Sequence, residues 1–419
     1  MKARNGADAQ VGGRYDVLIV GGGLVGASLA CALGTSPLKV AVVEPVAPED
    51  PGQPSYDDRS TALAPSTRRI FEALGLWSDL RPAVTPIREI HVSDRGRFGF
   101  TRMSAREERL EALGYVAGNR ALGGVLNRAL TSLGNCDVYR PARLAAPRVG
   151  RDSVAAWVEH RGVQQRIEAR VLVIADGAAS KTRDELGIPV KVRDYGQSAI
   201  VANVTPERNH NGRAYERFTD QGPLAILPIE AGRCALIWTL PPALAEELAC
   251  MDKTGFLRRL QERFGYRLGR LLSVGGRSRY PLRHVEAMRW VSGRAVVIGN
   301  AAHSLHPVAG QGFNLALRDV ATLAEVLHIC AVEGTDPTLG GELARYESDR
   351  RSDYRRVGGF TDLLIDVFSN ALPGLSGARD AGLLGLDLFP AIKRGVMRNA
   401  MGRRGPLSRL ARGLPLASP

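Results

Sequence analysis

The chain has 419 residues, 44% of them hydrophobic and 24% charged, and its 56 Lys+Arg against 43 Asp+Glu give a formal charge of +13. That composition excludes a disordered chain, the length exceeds one simple core and suits interleaved domains, and no apolar run is long enough to span a bilayer. Five cysteines (Cys31, Cys136, Cys234, Cys250, Cys330) are scattered without a C-x-x-C pair, which predicts reduced, mostly buried thiols and disfavours a disulfide reductase.

Residues 1–13 lack the apolar core of a secretory signal and read as a flexible extension, so a cytoplasmic location is the expectation. Tyr15 to Val20 is a nearly continuous apolar run that ends in glycines, the pattern of a parallel strand buried on both faces. Gly21, Gly23 and Gly26 then form a G-x-G-x-x-G turn, with a helix predicted from about Leu24. Gly21 permits the tight turn, Gly23 lets backbone approach a pyrophosphate, and Gly26 lets the helix pack closely on the strand. A second buried strand, Leu38 to Val43, delivers Glu44 about twenty residues after the glycines, where an acid takes ribose hydroxyls.

Residues 89–101 read as a hairpin turning at Asp94-Arg95-Gly96. Two further buried strands end in polar residues: 171–175 runs into Asp176-Gly177, and 295–298 runs into Gly299-Asn300. Ligands of open α/β sheets lie at that carboxyl edge, so both ends are expected cofactor contacts. Residues from about 190 to 283 alternate short strand-like runs with Gly and Pro turns, as an inserted antiparallel sheet does. Beyond Gly310-Gln311-Gly312, the positions Phe313, Leu317, Val320, Leu323 or Ala324, and Leu327 recur at helical spacing, and the helix start aims its dipole at whatever lies over those glycines.

From about 319 onward the chain is helical and then basic. After Asp387 there is no acidic residue, while Lys393, Arg394, Arg398, Arg403, Arg404, Arg409 and Arg412 alternate with apolar residues. That pattern fits an anionic membrane surface better than nucleic acid, and a merely solvated tail is the alternative. Residues 357–388, with Phe360, Leu363, Leu364, Val367, Phe368, Leu383, Leu384 and Leu386 and with Phe389 nearby, are expected either to dock on a bilayer or partner or to cover the chain's own nucleotide domain.

Taken together, GGGLVG with Glu44, Asp58-Arg59 in DDRSTAL, Asp176-Gly177 and GNAAHSLHPVAGQGFNLALRDV resemble the aromatic-ring flavoprotein hydroxylases of the p-hydroxybenzoate hydroxylase-like fold. HVSDRG at 91–96 and YERFTDQGPLAILP at 215–228 narrow the resemblance to the ubiquinone-biosynthesis hydroxylases, on their methoxyphenol branch. The resemblance implies an α/β fold: a Rossmann-like FAD-binding domain (14–85, 102–188, 284–330), an interleaved antiparallel-sheet substrate domain (86–101, 189–283) and a C-terminal helical, basic region (331–419). It also implies an FAD-dependent monooxygenase, reduced by NADH or NADPH, that uses molecular oxygen to hydroxylate a prenylated phenol through a flavin C4a-hydroperoxide. A related hydroxylase for another ring position or a soluble phenol, and a non-catalytic flavoprotein scaffold, are the competing readings.

On this resemblance the cofactor-binding residues are Gly21, Gly23, Gly26, Glu44, Arg59, Asp176, Gly177, Gly299, Asn300, Gly312, Phe313 and Asn314. Pro307, Gly310, Gln311 and Gly312 line the reacting centre. Arg59 matches the family's arginine beside the flavin, and Asp58 is its expected ion partner or a loop cap. Gly299-Asn300 departs from the usual Gly-Asp pair, leaving an amide that still donates and accepts. His303 and His306 read as histidines satisfied by backbone, because an i, i+3 pair without an added carboxylate is no metal site. The implied partners are the prenylated phenol, molecular oxygen, the inner face of the cytoplasmic membrane and other ubiquinone-biosynthesis proteins, with no nucleic acid.

Overall fold

A computed structural model describes residues 10–47, 50, 59–96, 99–307, 310–369 and 407–417, with backbone alone at 10–11 and 360–369. Asp58, the apolar positions Leu383 to Phe389, the basic positions Lys393 to Arg404 and the side chains of Phe360 to Phe368 therefore lie outside the described residues.

In chain order, β1 (Gln10–Val20), α1 (Leu24–Ala32) and β2 (Val40–Val43) form the opening βαβ unit. After it come β3 (Ser60–Leu63), α2 (Pro65–Ala73), α3 (Trp77–Leu80), β4 (Val84–Ile87), β5 (Glu89–Asp94), β6 (Phe100–Ser104), β7 (Gly114–Gly118) and α4 (Asn119–Thr131). Next are β8 (Cys136–Tyr139), β9 (Ala142–Val149), β10 (Val154–His160), β11 (Val163–Ile174), α5 (Lys181–Glu185) and β12 (Val190–Pro206). The chain continues with β13 (Arg213–Phe218), β14 (Leu224–Pro228), β15 (Cys234–Leu240), α6 (Pro242–Cys250), α7 (Lys253–Phe264), β16 (Leu271–Val274) and β17 (Ser278–Ala287). It closes with β18 (Val291–Ser292), β19 (Ala295–Val297), α8 (Gln311–Glu333) and α9 (Glu342–Ser369).

The first sheet runs β18-β19-β11-β1-β2-β8, with β9 and β10 extending it through β11. β19, β11, β1, β2 and β8 are mutually parallel, so their carboxyl ends reach one edge together. Both faces of its parallel centre are covered, which is why β2, β19 and the last four residues of β1 and β11 read as unbroken apolar runs. Leu29, Leu122, Leu126 and Leu317 bury one face, and Trp290 and Leu315 join the core on the other.

The second sheet runs β16-β12-β15-β14-β13-β5-β6, with β17 also on β12. It is antiparallel except where β13 lies parallel to β5, a pairing of strands distant in sequence that the hairpin reading did not supply. Strand alternation gives it two faces. Leu224, Ile226, Leu236 and Trp238 point to one, where Phe256, Leu260 and Phe264 of α7 cover them. Ala214 and Ala235 point to the other, against Ile87 and Val116 of the small β3-β7-β4 sheet.

Two expectations are corrected. Among the cysteines, all free, only Cys234 and Cys330 are buried, and Cys250 is exposed. The last described segment, 407–417, is not merely a solvated tail: Leu410, Ala411 and Leu416 are buried in the core formed by α1, α2 and α8, and Arg409 N–H donates to Glu325 Oε2 at 3.2 Å, while Arg412 and Leu414 stay exposed. Among the described residues no helix is long and apolar enough to cross a membrane.

Candidate active site

The parallel edge gathers the first group of expected residues. Gly21 has φ 96°, and a Cβ there would lie 2.5 Å from the Ala175 carbonyl oxygen. A Cβ on Gly26 would lie 1.9 Å from the Gly21 carbonyl oxygen, so the turn closes only without one. Gly23 caps α1 with extended backbone, leaving the first-turn N–H groups at the sheet edge. Glu44 follows β2 and is 6% exposed; Oε2 accepts from Gly22 N–H at 2.6 Å and Oε1 from Val46 N–H at 2.9 Å. The acid and the glycine turn thus hold each other in place.

β11 ends at the second group. Asp176 Oδ2 accepts from Thr182 N–H at 3.3 Å, while Oδ1 is buried with no hydrogen-bond partner. A buried carboxylate oxygen left this way costs free energy unless a donor from outside the chain meets it. Beside it Gly177 has φ 89° and faces open space. Arg183 donates to the Ala178 oxygen at 3.2 Å and the Ala301 oxygen at 3.0 Å, tying this loop to the one after β19. There Gly299, with φ 59°, sits on Val25 of α1, and Asn300 is exposed. An extended group bearing hydroxyls and a pyrophosphate, as FAD does, fits the orphaned Asp176 oxygen, the open glycine and the α1 terminus.

The third group is built around the start of α8. Gly310 takes φ 59° as the helix cap, where a Cβ would be 3.1 Å from Ala62 of β3. Asn314 was expected to contact cofactor, but its side chain is committed to the protein. Its Oδ1 accepts from Ala64 N–H and Thr67 Oγ1, each at 2.7 Å, and its Nδ2 donates to the Ala62 and Gly310 oxygens, each at 2.9 Å. Four bonds exhaust the amide and clamp β3 to the helix cap. Gln311, Gly312 and Phe313 supply first-turn N–H groups with the positive end of the helix dipole, and Gly312 borders open space. Arg59, next to β3, places its guanidinium carbon 5.0 Å from the Tyr280 ring centroid.

Between that loop and the second sheet is a cavity of about 290 Å³. Arg59, His306 and Pro307 border one side, and Val201, Ile237 and Tyr280 the other. Tyr195 packs edge-on against His306 with centroids 5.1 Å apart, and His306 Nε2 lies 3.3 Å from Gln197 Oε1. Burial pushes the His306 imidazole down to about 4, so it is neutral at pH 7.

Nε2 of His303 and of His306 meets a side chain rather than backbone, which corrects the reading from sequence, and His303 Nδ1 is buried without a hydrogen-bond partner among the described residues. His303 Nε2 meets Asp319 Oδ2 at 2.6 Å, and Arg350 Nε donates to Asp319 Oδ1 at 2.7 Å. Arg350 and Arg318 both reach Asp353 Oδ2, at 2.8 and 2.7 Å. Burial alone would raise the Asp319 carboxyl, but His303 and Arg350 outweigh it and hold it below the usual range. This network joins the His303–Pro307 loop to α8 and α9. Its signal in the sequence was the adjacent charges Arg318 and Asp319 on a largely apolar helix, whereas Arg350 and Asp353 stand in a charge-rich stretch that does not single them out.

The FAD binding domain family matches residues 14–360. A ubiquinone hydroxylase of Rhodospirillum rubrum is 40% identical over 96% of this chain and 93% of its own length. The 3-demethoxyubiquinol 3-hydroxylase of Escherichia coli is 30% identical over 92% of this chain and 98% of its own. Among solved structures, p-nitrophenol 4-monooxygenase from Pseudomonas putida superposes with a TM-score of 0.77 at 20% identity, covering 94% of this chain and all of that one.

Proposed function

The chain belongs to the FAD binding domain family as an FAD-dependent monooxygenase of the ubiquinone-hydroxylase group, and from that premise we propose that it hydroxylates the ring of a polyprenylated methoxyphenol during ubiquinone biosynthesis. The observation that carries this reading is the cavity between Arg59, His306 and Pro307 and the apolar Val201–Ile237 face. One wall carries the flavin-side loop, and the other offers hydrocarbon to a prenylated ring.

Bound FAD, once reduced by NADH or NADPH, supplies the electrons that activate molecular oxygen. The chain's own residues do the rest. Gly21, Gly23 and Gly26 admit the pyrophosphate, Glu44 and Asp176 accept its sugar hydroxyls, and Gly177, Gly299 and Asn300 border the ribityl chain. Arg59, Gly310, Gln311, Gly312 and Phe313 face the ring system, whose negative charge on reduction the α8 terminus stabilises. Pro307, Tyr280 and Leu282 exclude water from the reacting centre. A polyprenyl tail requires access to lipid, so the protein works peripherally at the inner face of the cytoplasmic membrane, alongside other ubiquinone-biosynthesis proteins. The Escherichia coli relative's name places its hydroxylation at a stated ring position, so reaction at a different carbon of the same substrate class is the second reading.

The test is mass spectrometry of a short-chain 2-prenyl-6-methoxyphenol incubated with FAD-loaded protein, NAD(P)H and labelled oxygen. One labelled atom in a methoxy-benzoquinol or its quinone is the expected result, and the substituted carbon decides the ring position. Reductant consumed with hydrogen peroxide as sole product would count against this substrate.

A further inference from the structure

The inner face of the second sheet carries one carboxyl that neither the cofactor site nor the fold uses. The registers place Glu216 of β13 opposite Ala225 of β14, Ala225 opposite Ile237 of β15, and Ile237 opposite Val201 of β12. Residues paired this way share a face of the sheet. Ile237 and Val201 line the cavity beside Arg59 and Pro307. Glu216 therefore lies on the same face of the sheet, beyond the cavity's edge and two strand spacings or roughly 10 Å from Ile237. A glutamate side chain and one substituted benzene ring together bridge that distance.

Among the described residues, its strand neighbours offer it no hydrogen-bond donor. Ala225 and Val92 flank it across the strands, Ala214 and Phe218 lie along its own strand, and the charged residue on that face of β5 is Asp94, opposite Phe218. Glu216 keeps some accessible surface, yet burial is the one cause that moves its titration, with no ion pair or hydrogen bond from the described residues contributing. Glu216 is half-buried on the cavity-side face of the sheet, among apolar neighbours. Leaving a carboxyl there costs free energy that a hydrophobic residue would not, and sites of this kind are retained where a ligand completes them.

Building on the phenol-hydroxylase reading, we infer that Glu216 accepts the hydrogen bond of the substrate's ring hydroxyl and takes its proton as the ring is oxygenated. The phenol O–H bond breaks, the proton passes to a Glu216 carboxylate oxygen, and the electron pair stays on the ring oxygen, enriching the ring carbons ortho and para to it. As the hydroxylated ring carbon loses its own proton to solvent and the ring regains aromaticity, the neutral carboxylic acid returns its proton to the ring oxygen. Burial pushes this carboxyl up to about 7, which makes it a stronger base than an ordinary glutamate while leaving much of it ionised at neutral pH. Apolar neighbours on the same wall accept the methoxy group and the first prenyl carbons, so the single polar contact fixes which ring edge faces the flavin.

The experiment compares a short-chain 2-prenyl-6-methoxyphenol with its O-methyl ether, which lacks the donor, on FAD-loaded wild type, Glu216→Leu and Glu216→Gln. Binding is read from the flavin absorbance, whose spectrum also reports that each variant is folded. Wild type should bind the phenol about 10-fold or more tighter than the ether. Glu216→Leu should bind both within about 3-fold, with ether affinity unchanged. Glu216→Gln should lower kcat for the phenol by about 10-fold or more, since the amide cannot take the proton. Undiminished preference for the phenol in Glu216→Leu, or an unchanged kcat in Glu216→Gln, overturns this assignment while a hydroxylating wild type leaves the proposed function standing. A wild type that neither binds nor hydroxylates the phenol overturns both.

Discussion

His303 Nε2 and Asp319 Oδ2 lie 2.6 Å apart, with side chains 1% and 0% exposed, and this contact anchors the loop carrying His306 and Pro307 to α8. Arg350 holds the second oxygen of the same carboxylate from α9. Breaking such a pair leaves an uncompensated buried charge.

Asp319→Asn should therefore lose roughly 3–5 kcal/mol of stability at pH 7 and release FAD at lower denaturant. The wild-type carboxyl sits below its usual value, so its contribution is present above the unfolded pKa near ~3.9 and is lost as pH falls through the lower folded value. Urea titrations of the two proteins should accordingly converge at acid pH and separate at neutral pH. Equal midpoints at pH 7 would show that the network contributes nothing to stability.

Gly26→Ala puts a Cβ 1.9 Å from the Gly21 oxygen, which forces α1 off β1 and opens the dinucleotide turn. Purified protein should be colourless or insoluble. Gly23→Asp tests the same site differently, by placing a negative charge at the helix terminus where the pyrophosphate approaches, and should fold without yellow colour. Full flavin occupancy in Gly23→Asp would remove the pyrophosphate from this turn.

Arg59→Ala leaves the glycine turn intact, so flavin should remain bound. It removes a guanidinium 5.0 Å from the Tyr280 centroid and a positive group at the cavity wall, an interaction of about 0.5–2 kcal/mol. The expected result is a several-fold lower kcat/KM and a larger share of reductant appearing as hydrogen peroxide, measured together by product mass spectrometry and peroxide assay. Arg59→Lys should recover charge but not the stacked plane.

Glu216 makes a stability prediction independent of any ligand. Its folded pKa, about 7, is above the ordinary value of a glutamate, so the native state penalises the ionised form. The penalty is absent below the unfolded pKa near ~4.3 and grows as pH rises to 7. Glu216→Leu should thus melt higher than wild type, with the gap in Tm widening from pH 5 to pH 8. A gap that is constant with pH would mean the carboxyl titrates normally.

Leu410 is 1% exposed in the core beneath α2 and α8. Leu410→Ala should cost about 2–5 kcal/mol, as cavities in a tight core do. Unchanged thermal unfolding would mean that the 407–417 segment is not part of the folded unit.

The sequence alone determined the elements whose pattern is local. Tyr15 to Val20, the glycine turn and Glu44 could be read because a strand buried on both faces is an unbroken apolar run, and because the turn's steric demand lies within a few residues. The helix after Gly312 was legible for the same reason: its apolar positions recur at 3.6-residue spacing. The start of β2, two residues later than expected, shows the ordinary uncertainty of an element's boundary.

Tertiary structure decided what rests on partners far apart in the chain. Asn314 looked like a cofactor ligand until Ala62, Ala64 and Thr67, some 250 residues earlier, took up its amide. His303 found Asp319, and His306 found Gln197 on a strand 109 residues away. Leu410 looked like part of a basic tail and proved to be core. Glu216 was one letter in a strand until the registers of β13, β14, β15 and β12 set it in line with the cavity. Side-chain periodicity reports which face a residue occupies, but only strand order and packing decide what that face meets, and charged or amide groups acquire their roles from what they meet.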